Sequence, residues 1–224
     1  MSKKGSFMFI KNDKIKAVYC HRNAQLEGLG KRVVRMLRYF DREELDALFD
    51  YLIPVDEDTP MTKEQIEAYK EYMPEQCWKE DLDWTTALIY TKDPTQPIMD
   101  GFPYFVDYAG FLPSWRNRYR YMINLDTNTF QVAKAGLEII GQESEEFFKE
   151  VEYPDSIVPY VLGAWPLDAI PDDWMEQCKE KWAHSVIRCS PEDGIVIDAN
   201  RFDSDFEGQR TYSKIKYYIG IEGY

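Results

Sequence analysis

Residues 14–34, KIKAVYCHRNAQLEGLGKRVV, contain side chains that could bind an anion or transfer a proton. His21 is one of only two histidines in the chain, and an imidazole can act as a general acid or base near neutral pH. Gly28 and Gly30 precede Lys31, so the loop could direct backbone N–H groups and a positive charge towards an anion. The candidate binding groups of this site, in the 20–31 loop, are His21, Arg22 and Lys31.

The same residues also have a purely structural explanation. The Gly28-Leu29-Gly30 pattern lacks the spacing of a P-loop and the complete G-x-G-x-x-G fingerprint, and glycines before a helix are commonly turn residues. Cys20 and His21 are neighbours in a strand pattern, so their side chains should point to opposite faces and cannot form a nucleophile–base pair. This explanation predicts a buried thiol and a half-exposed imidazole.

Other chemically suggestive residues are scattered along the chain. His184 lies near the end of a predicted helix, where an imidazole usually satisfies terminal carbonyls. The acidic segment NRFDSDFEG resembles a calcium loop but lacks the rest of the EF-hand pattern. With two histidines and four cysteines without a C-x-x-C pair, no nucleophile–base–orienter set emerges. We therefore expect no catalytic residue, no metal and no cofactor.

Charge is unevenly distributed along the 224 residues. The net charge of −13 repels nucleic acid backbones and anionic membranes. Residues 1–42 carry eleven Lys or Arg against three Asp or Glu, a net charge of +8, which leaves −21 for residues 43–224. Either the two parts neutralise each other within one fold, or a charged surface meets an oppositely charged partner.

The composition is that of a folded globular protein. Hydrophobic residues make up 44% and aromatic residues 15% of the chain. The 16 tyrosines and 6 tryptophans suit a core, and in part a contact surface, because rings offer apolar area at little entropic cost. The chain has neither an apolar run of about 18 residues nor a signal-peptide pattern. We expect a soluble cytoplasmic protein with reduced cysteines and no membrane partner.

Local patterns predict the elements that position the 20–31 loop. Two apolar runs, SFMFI and KIKAVYC, flank a turn in which Asn12 and Asp13 tolerate positive φ, so a β-hairpin is predicted at residues 6–20. After the loop, apolar residues recur at helical spacing and predict an amphipathic helix. The basic outer stripe of that helix consists of Lys31, Arg35, Arg38 and Arg42.

Two further helices are predicted from their caps. Asp41 is a good N-cap, two glutamates in the first turn suit the helix dipole, and Pro54 ends the helix. Thr62 and Gln65 form a capping box for the next helix, which Pro74 stops.

The remaining segments complete the predicted fold. Residues 75–113 should be irregular with one strand near 86–90, and RYRYMINLD-TN-TFQVAKAG is typical of a hairpin. SEEFFKEV predicts a short helix, PLDAIPDDWMEQCKEKW a longer one that begins near Pro171, and GIVIDANRF and KIKYYIGIEGY one or two strands. Without regular βαβ alternation, this pattern favours a single α+β domain over residues 1–224, with an antiparallel sheet, N-terminal and central hairpins and several packed helices.

Two blocks of the chain resemble a family of mostly uncharacterised proteins from phages, bacteria and fungi. The first block of that family runs from a strand into a Trp-Asp-Gly-Tyr-Pro-x-Gly-x-Gly loop and then a helix. Here Gly28-Leu29-Gly30 matches the end of the loop, and Tyr19 and His21 match its approach. The segments YRYMINLDTNTFQVAKAG and AWPLDAIPDDWMEQC are similar to the aromatic hairpin and the closing segment of the family.

The loop of this chain departs from the family pattern. Arg22-Asn23-Ala24-Gln25-Leu26 stands where the family has Trp-Asp-Gly-Tyr-Pro, so the acid and the aromatic that would carry any loop chemistry are absent. The resemblance implies one compact α+β fold and a phage-related protein, and it transfers no activity.

The leading hypothesis is a non-catalytic acidic protein that binds another macromolecule, for example a phage-type accessory or inhibitor protein that masks the basic surface of a second protein. The alternative is a small-anion or nucleotide-binding enzyme with its site at the 20–31 loop. A third hypothesis, nucleic acid binding through the basic stripe, is opposed by the acidic remainder of the molecule. The candidate binding residues are His21, Arg22, Lys31, Arg35 and Arg38.

Overall fold

The computed structural model describes most of the chain. It covers residues 4–57, 59–78, 82–111, 117–134, 160–183, 188–190 and 194–196. Within these ranges helices and strands are mixed without βαβ alternation, which confirms the predicted α+β class. No helix in the described ranges is long and apolar enough to cross a membrane. Outside them lie the predicted SEEFFKEV helix, the KIKYYIGIEGY strand and His184.

The described strands form one large sheet and two small ones. In chain order they are β1 (Gly5–Lys11), β2 (Lys14–Cys20), β3 (Ile53–Val55), β4 (Tyr104–Val106), β5 (Tyr119–Asn124), β6 (Thr129–Lys134), β7 (Tyr160–Pro166), β8 (Arg188–Ser190) and β9 (Gly194–Val196). The large sheet has the order β2-β1-β5-β6-β7, while β3–β4 and β8–β9 pair separately.

The predicted antiparallel pairing occurs at three of the four interfaces in the large sheet, and the central β1–β5 pair is parallel. The long connection between β2 and β5 explains this arrangement. It leaves the sheet at Cys20, which lies opposite Gly5, and returns at Tyr119, which also lies opposite Gly5. The connection begins and ends at the same end of the strands. Strand β5 therefore runs antiparallel to β2 and parallel to β1.

Six α-helices lie in the described ranges. They are α1 (Lys31–Tyr39), α2 (Arg42–Tyr51), α3 (Lys63–Tyr69), α4 (Trp84–Tyr90), α5 (Gln96–Met99) and α6 (Trp174–Ala183). A π-helical turn, Leu26–Gly30, precedes α1, and three 3₁₀ turns occupy Lys70–Tyr72, Glu75–Cys77 and Ala109–Phe111.

The predicted turn and caps are confirmed. Asn12 and Asp13 adopt φ angles of 50° and 59° in the first hairpin. The Asp41 carboxylate accepts a hydrogen bond from the N–H group three residues ahead, and the Thr62 hydroxyl does the same for α3. In both helices the third residue returns a side-chain bond to the cap, which completes a capping box.

The strand predicted near residues 86–90 was wrong, because this segment is helix α4. Asp83 caps the helix, and its carboxylate accepts the Thr86 N–H at 2.6 Å. Trp84 and Ala87 lie on its buried face, at the spacing of a helix rather than a strand.

The basic stripe of α1 is shorter than predicted. Phe40 leaves the helical conformation, with φ −97° and ψ 139°, and Arg42 begins α2. The stripe of α1 therefore consists of Lys31, Arg35 and Arg38, all of which are exposed.

One face of the large sheet packs against α1, α2 and α6. The buried residues of these helices and of β1, β2, β5 and β6 form one apolar cluster, which we call the main core. Phe7, Phe9, Tyr121 and Phe130 project into it from the strands and are fully buried. This core holds α1 and the end of the 20–31 loop against the sheet.

A second apolar cluster, the satellite cluster, lies between α3, α4 and the β3–β4 sheet. Its buried members are Met61, Ile66, Tyr69, Met73, Leu82, Trp84, Ala87, Phe102 and Val106. Successive residues of β4 alternate between the two clusters: Tyr104 and Val106 pack on the satellite cluster, and Phe105 packs in the main core. The small sheet is therefore the layer that both clusters share.

Candidate functional site

The 20–31 loop uses its backbone N–H groups internally. The Gly28 and Gly30 N–H groups both donate to the Gln25 carbonyl, at 3.0 and 3.3 Å. The π-helical turn Leu26–Gly30 leads directly into α1, and the first N–H group of α1 donates back into that turn. An anion site at a helix N-terminus needs such donors free, so these N–H groups are not available to a ligand.

Both glycines of the loop are required by close packing. A Cβ atom at Gly28 would lie 2.0 Å from the Asn23 carbonyl oxygen. A Cβ atom at Gly30 would lie 2.8 Å from the Trp174 ring and 2.9 Å from the Tyr121 hydroxyl. The Gly-x-Gly pattern therefore lets the loop and α1 approach the sheet and α6, which supports the structural explanation of this stretch.

Cys20 and His21 point to opposite faces, as predicted. The Cys20 thiol lies in the main core and donates to the Arg22 carbonyl at 2.8 Å. Burial raises the pKa of this thiol to about 11, so it is protonated and inert at neutral pH. His21 is half-buried; burial, and then the charges of Lys4 and Arg22, lower the pKa of its imidazole. Both effects favour the neutral form of the imidazole.

His21 begins a series of side chains that crosses from the large sheet to the satellite. Its Nδ1 atom lies 3.2 Å from the Tyr19 hydroxyl, and the Tyr19 ring stacks on Tyr108 with centroids 5.1 Å apart. The Tyr108 hydroxyl donates to Glu57 at 2.5 Å. Burial, followed by the hydrogen bond to Glu57, raises the pKa of Tyr108 and keeps it a donor. An acid–base site at the 20–31 loop would place Tyr or Asp side chains beside His21, and Tyr19 is such a neighbour. Its further contacts, with Tyr108 and through it Glu57, are those of a structural connection.

Acids from distant parts of the chain neutralise much of the basic stripe. Arg35 donates to Asp93 at 2.9 Å and to Gln96 at 3.0 Å. Arg38 donates to Asp172 at 2.7 Å, just before α6. These guanidinium groups therefore have partners within the fold.

The five predicted binding residues do not converge on one site. Arg22 and Lys31 are exposed at opposite ends of the loop, and His21 faces Tyr19. Arg35 and Arg38 contact two different segments, one before α5 and the other before α6.

Other N-terminal cations are also paired. Lys11 donates to Asp46 at 2.6 Å and to Asp50 at 2.8 Å, and Arg42 donates to Asp46 at 3.2 Å. The hydrogen bond between Lys11 and Asp46 is the main reason why the pKa of Lys11 is raised and that of Asp46 lowered. The first explanation of the charge asymmetry, neutralisation within one fold, is supported.

The acids of α3 remain at the surface. Residues 59–78 contain four glutamates and two lysines, and the glutamates recur every three or four residues. All four are exposed on α3 and the turns that follow it, and we call them the acidic ridge: Glu64, Glu67, Glu71 and Glu75. Of these, Glu67 pairs with Lys70 at 2.5 Å.

Trp78 stands at the end of the acidic ridge. Its side chain is 43% exposed, although tryptophan is usually buried. The indole N–H donates to the Lys70 carbonyl at 2.9 Å, which fixes the direction of the ring. Sequence reasoning missed the ridge and Trp78; the available signal was a helix with glutamates at every third or fourth position, followed by a tryptophan.

Comparisons with known proteins assign no role to the acidic ridge and Trp78, so their role is inferred from the structure alone. No family model, no curated protein and no solved structure matches the chain. Among the residues that the structure describes, no group of three or more His, Cys, Asp or Glu side chains could hold a metal ion.

Proposed function

We propose that this protein is a non-catalytic binding protein that engages a basic partner protein through the acidic ridge and Trp78. One observation carries the proposal, namely the contrast in how charges are used. Lys11, Arg35 and Arg38 are paired with acids of other elements, whereas the ridge presents four exposed carboxylates beside a half-exposed tryptophan. One of the four, Glu67, is also paired with Lys70. An aromatic anchor beside a surface with an excess of acids suits an interface with a basic protein.

Trp78 supplies the anchor of the proposed interface. A tryptophan side chain buries a large apolar area and has few torsions to order, so its immobilisation costs little entropy. The bond from its indole to Lys70 holds the ring in place before a partner arrives. The ring face can accept an Arg or Lys side chain of the partner, and the neighbouring carboxylates favour the same cation.

The charge of the whole molecule supports a protein rather than a nucleic acid as the partner. A net charge of −13 attracts a basic surface over several ångströms and repels phosphate backbones. A phage-type accessory or inhibitor protein that masks a basic surface in the cytoplasm is the concrete form that we propose, in line with the sequence resemblance. Electrostatic association of this kind should slow steeply as salt is added.

The test begins with affinity capture of partners from a native lysate, washed at low and at high salt. Association rates of the identified partner are then measured with two double variants. Glu64→Lys with Glu75→Lys reverses charge on the ridge, and Glu176→Lys with Glu180→Lys makes the same change on the exposed face of α6. We expect the ridge variant to lower the association rate by about ten-fold and the α6 variant to change it far less.

Two results would contradict the proposed function. Equal effects of the two double variants would show that only net charge matters and that the ridge is not the interface. Capture of a small anion without a protein partner would favour the enzyme alternative at the 20–31 loop.

A further inference from the structure

Aromatic rings connect the α3–α4 layer, residues 59–78 and 82–91, to the β3–β4 sheet and the residues just before it. Tyr69 and Trp84 pack on Phe102, with ring centroids 5.2 and 6.3 Å apart. Ring contacts of this kind are lost together when the two surfaces separate. Among the described residues, no strand pairing joins α3 or α4 to the β3–β4 sheet.

The layer also has internal ties that would keep it together. The Tyr69 hydroxyl of α3 lies 3.0 Å from the Thr91 hydroxyl, which follows α4. Pro60 and Asp83, at the starts of the two helical segments, form an isolated β-bridge. The two helices are therefore linked to each other at both ends.

A small cavity lies beneath the layer. Its volume is about 20 Å³. The wall from the layer includes Tyr69, Trp84 and Leu88, and the opposite wall includes Val18, Ile98 and Phe105 of the main core. Atoms that line a void lose their dispersion contacts on one side, so the cavity interrupts the packing between the layer and the main core.

We propose that the α3–α4 layer is a lid that opens as one cooperative unit away from the β3–β4 sheet, while the five-stranded sheet remains folded. Proteins commonly open in such contiguous units, and the units that rely least on buried backbone pairing open first. Opening would expose Phe102 and Tyr104 and would move the acidic ridge, which lies on α3 and the turns that follow it. The lid follows from packing alone and does not depend on the proposed partner.

Native-state hydrogen exchange of the wild-type chain, across low denaturant concentrations, tests the lid directly. We expect the protected amides of α3 and α4 to exchange together, about ten-fold or more faster than the slowest amides of β1 and β5. Their exchange should also depend less on denaturant, because a smaller surface is exposed. Equal rates and slopes in the lid and the sheet would overturn the proposal, as would unrelated rates in α3 and α4.

Two variants separate lid opening from global unfolding. Phe130 is fully buried in the main core, against Trp165 and Trp174, and Phe130→Leu should accelerate the slowest sheet amides by about ten-fold. The lid amides should keep their wild-type rates, because the main core stays intact when the lid opens. Phe102→Leu should accelerate both sets, because its contacts are lost in both kinds of opening.

A molecule without a lid would respond differently. Phe130→Leu would then accelerate the amides of α3 and α4 by the same factor as those of the sheet, and the proposal would be wrong. If Phe130→Leu does not fold, Val132→Ala, another fully buried position of β6, replaces it.

Discussion

The main core and the satellite cluster bury similar side chains but are held together differently. In the main core the strands are themselves paired, and β1 has hydrogen-bonded neighbours on both sides. In the satellite cluster the rings of Tyr69, Trp84, Phe102 and Tyr104 pack against one another over a sheet of two three-residue strands. Backbone pairing supports the first region, whereas side-chain packing must hold the second.

The two regions also use charge differently. Around the main core, cations of β1 and α1 meet acids of other elements, as Lys11 meets Asp46. On the satellite, the acidic ridge faces solvent. Paired charges add little to recognition, whereas an exposed excess of one charge steers a partner. The region with the exposed acids is therefore the one that we propose to bind a partner.

The largest expected effect is on the free energy of unfolding, and it should differ between the two tryptophans of the α3–α4 layer. Trp84 is 2% exposed, and Trp84→Ala should destabilise the satellite cluster by about 3–5 kcal/mol. Trp78→Ala should leave the unfolding free energy within about 0.5 kcal/mol of wild type but weaken binding of the captured partner. Urea unfolding followed by near-ultraviolet circular dichroism measures the first effect. Similar stability losses in the two variants would show that Trp78 belongs to the core.

The second largest expected effect is a loss of stability when the main core is overpacked at Gly30. Gly30→Val would press a side chain against Trp174 and Tyr121, and such overpacking should cost about 1–3 kcal/mol. Gly110→Val is the control, because no atom lies within 4 Å of its added Cβ. The midpoint of urea denaturation should fall for Gly30→Val only. An unchanged midpoint would mean that the corner can relax, and the packing explanation of the Gly-x-Gly pattern would then fail.

A smaller effect of pH is expected in the satellite. Burial raises the pKa of Tyr69 from 10.0 to about 12, against the opposing hydrogen bond to Thr91. Its contribution to stability is complete below pH 10, where both states are protonated, and is lost between about pH 10 and 12, because the unfolded chain ionises first. Between pH 8 and pH 11 the wild type should lose about 1 kcal/mol more than Tyr69→Phe.

Urea unfolding of both proteins at the two pH values checks this difference. Other buried groups with raised pKa values, such as Cys20 and Tyr121, are common to both proteins and cancel in the comparison. Equal losses would mean that the Tyr69 phenol does not ionise in this range when the chain unfolds.

The smallest effect compares two ion pairs of α1. The Asp93 side chain is 20% exposed and that of Asp172 is 98% exposed. Exposed pairs contribute little, so Arg35→Gln should lower the melting temperature slightly and Arg38→Gln should leave it unchanged. Thermal unfolding at low and high salt measures both, and the effect of Arg35→Gln should shrink in high salt. A larger effect of Arg38→Gln would contradict this ranking.

Much of the fold could be predicted where local interactions dominate. The Asn12-Asp13 turn and the caps at Asp41 and Thr62 were correct because each depends on residues within four positions of one another. Helix α4 was not predicted, because its short apolar run is compatible with both a strand and a helix, and packing of Trp84 against the satellite rings selects the helix.

The sequence predicted the charge of the proposed binding surface but not its position. The excess of acids indicated a basic partner, but the residues chosen for binding lay in the 20–31 loop and on α1. The loop donors are bonded within the loop, and Arg35 and Arg38 are paired, which no local pattern shows. The exposure of the acidic ridge likewise depends on tertiary packing, which buries the opposite face of α3.

Sequence alone dictates the hairpins, most of the helices and the charge imbalance between the N-terminal 42 residues and the rest. Tertiary contacts dictate which of those charges remain exposed. Arg35 meets an acid 58 positions away and Arg38 one 134 positions away. A cap depends on neighbours along the chain, whereas an ion pair depends on distance in space. For that reason the surface offered to a partner is a property of the folded molecule.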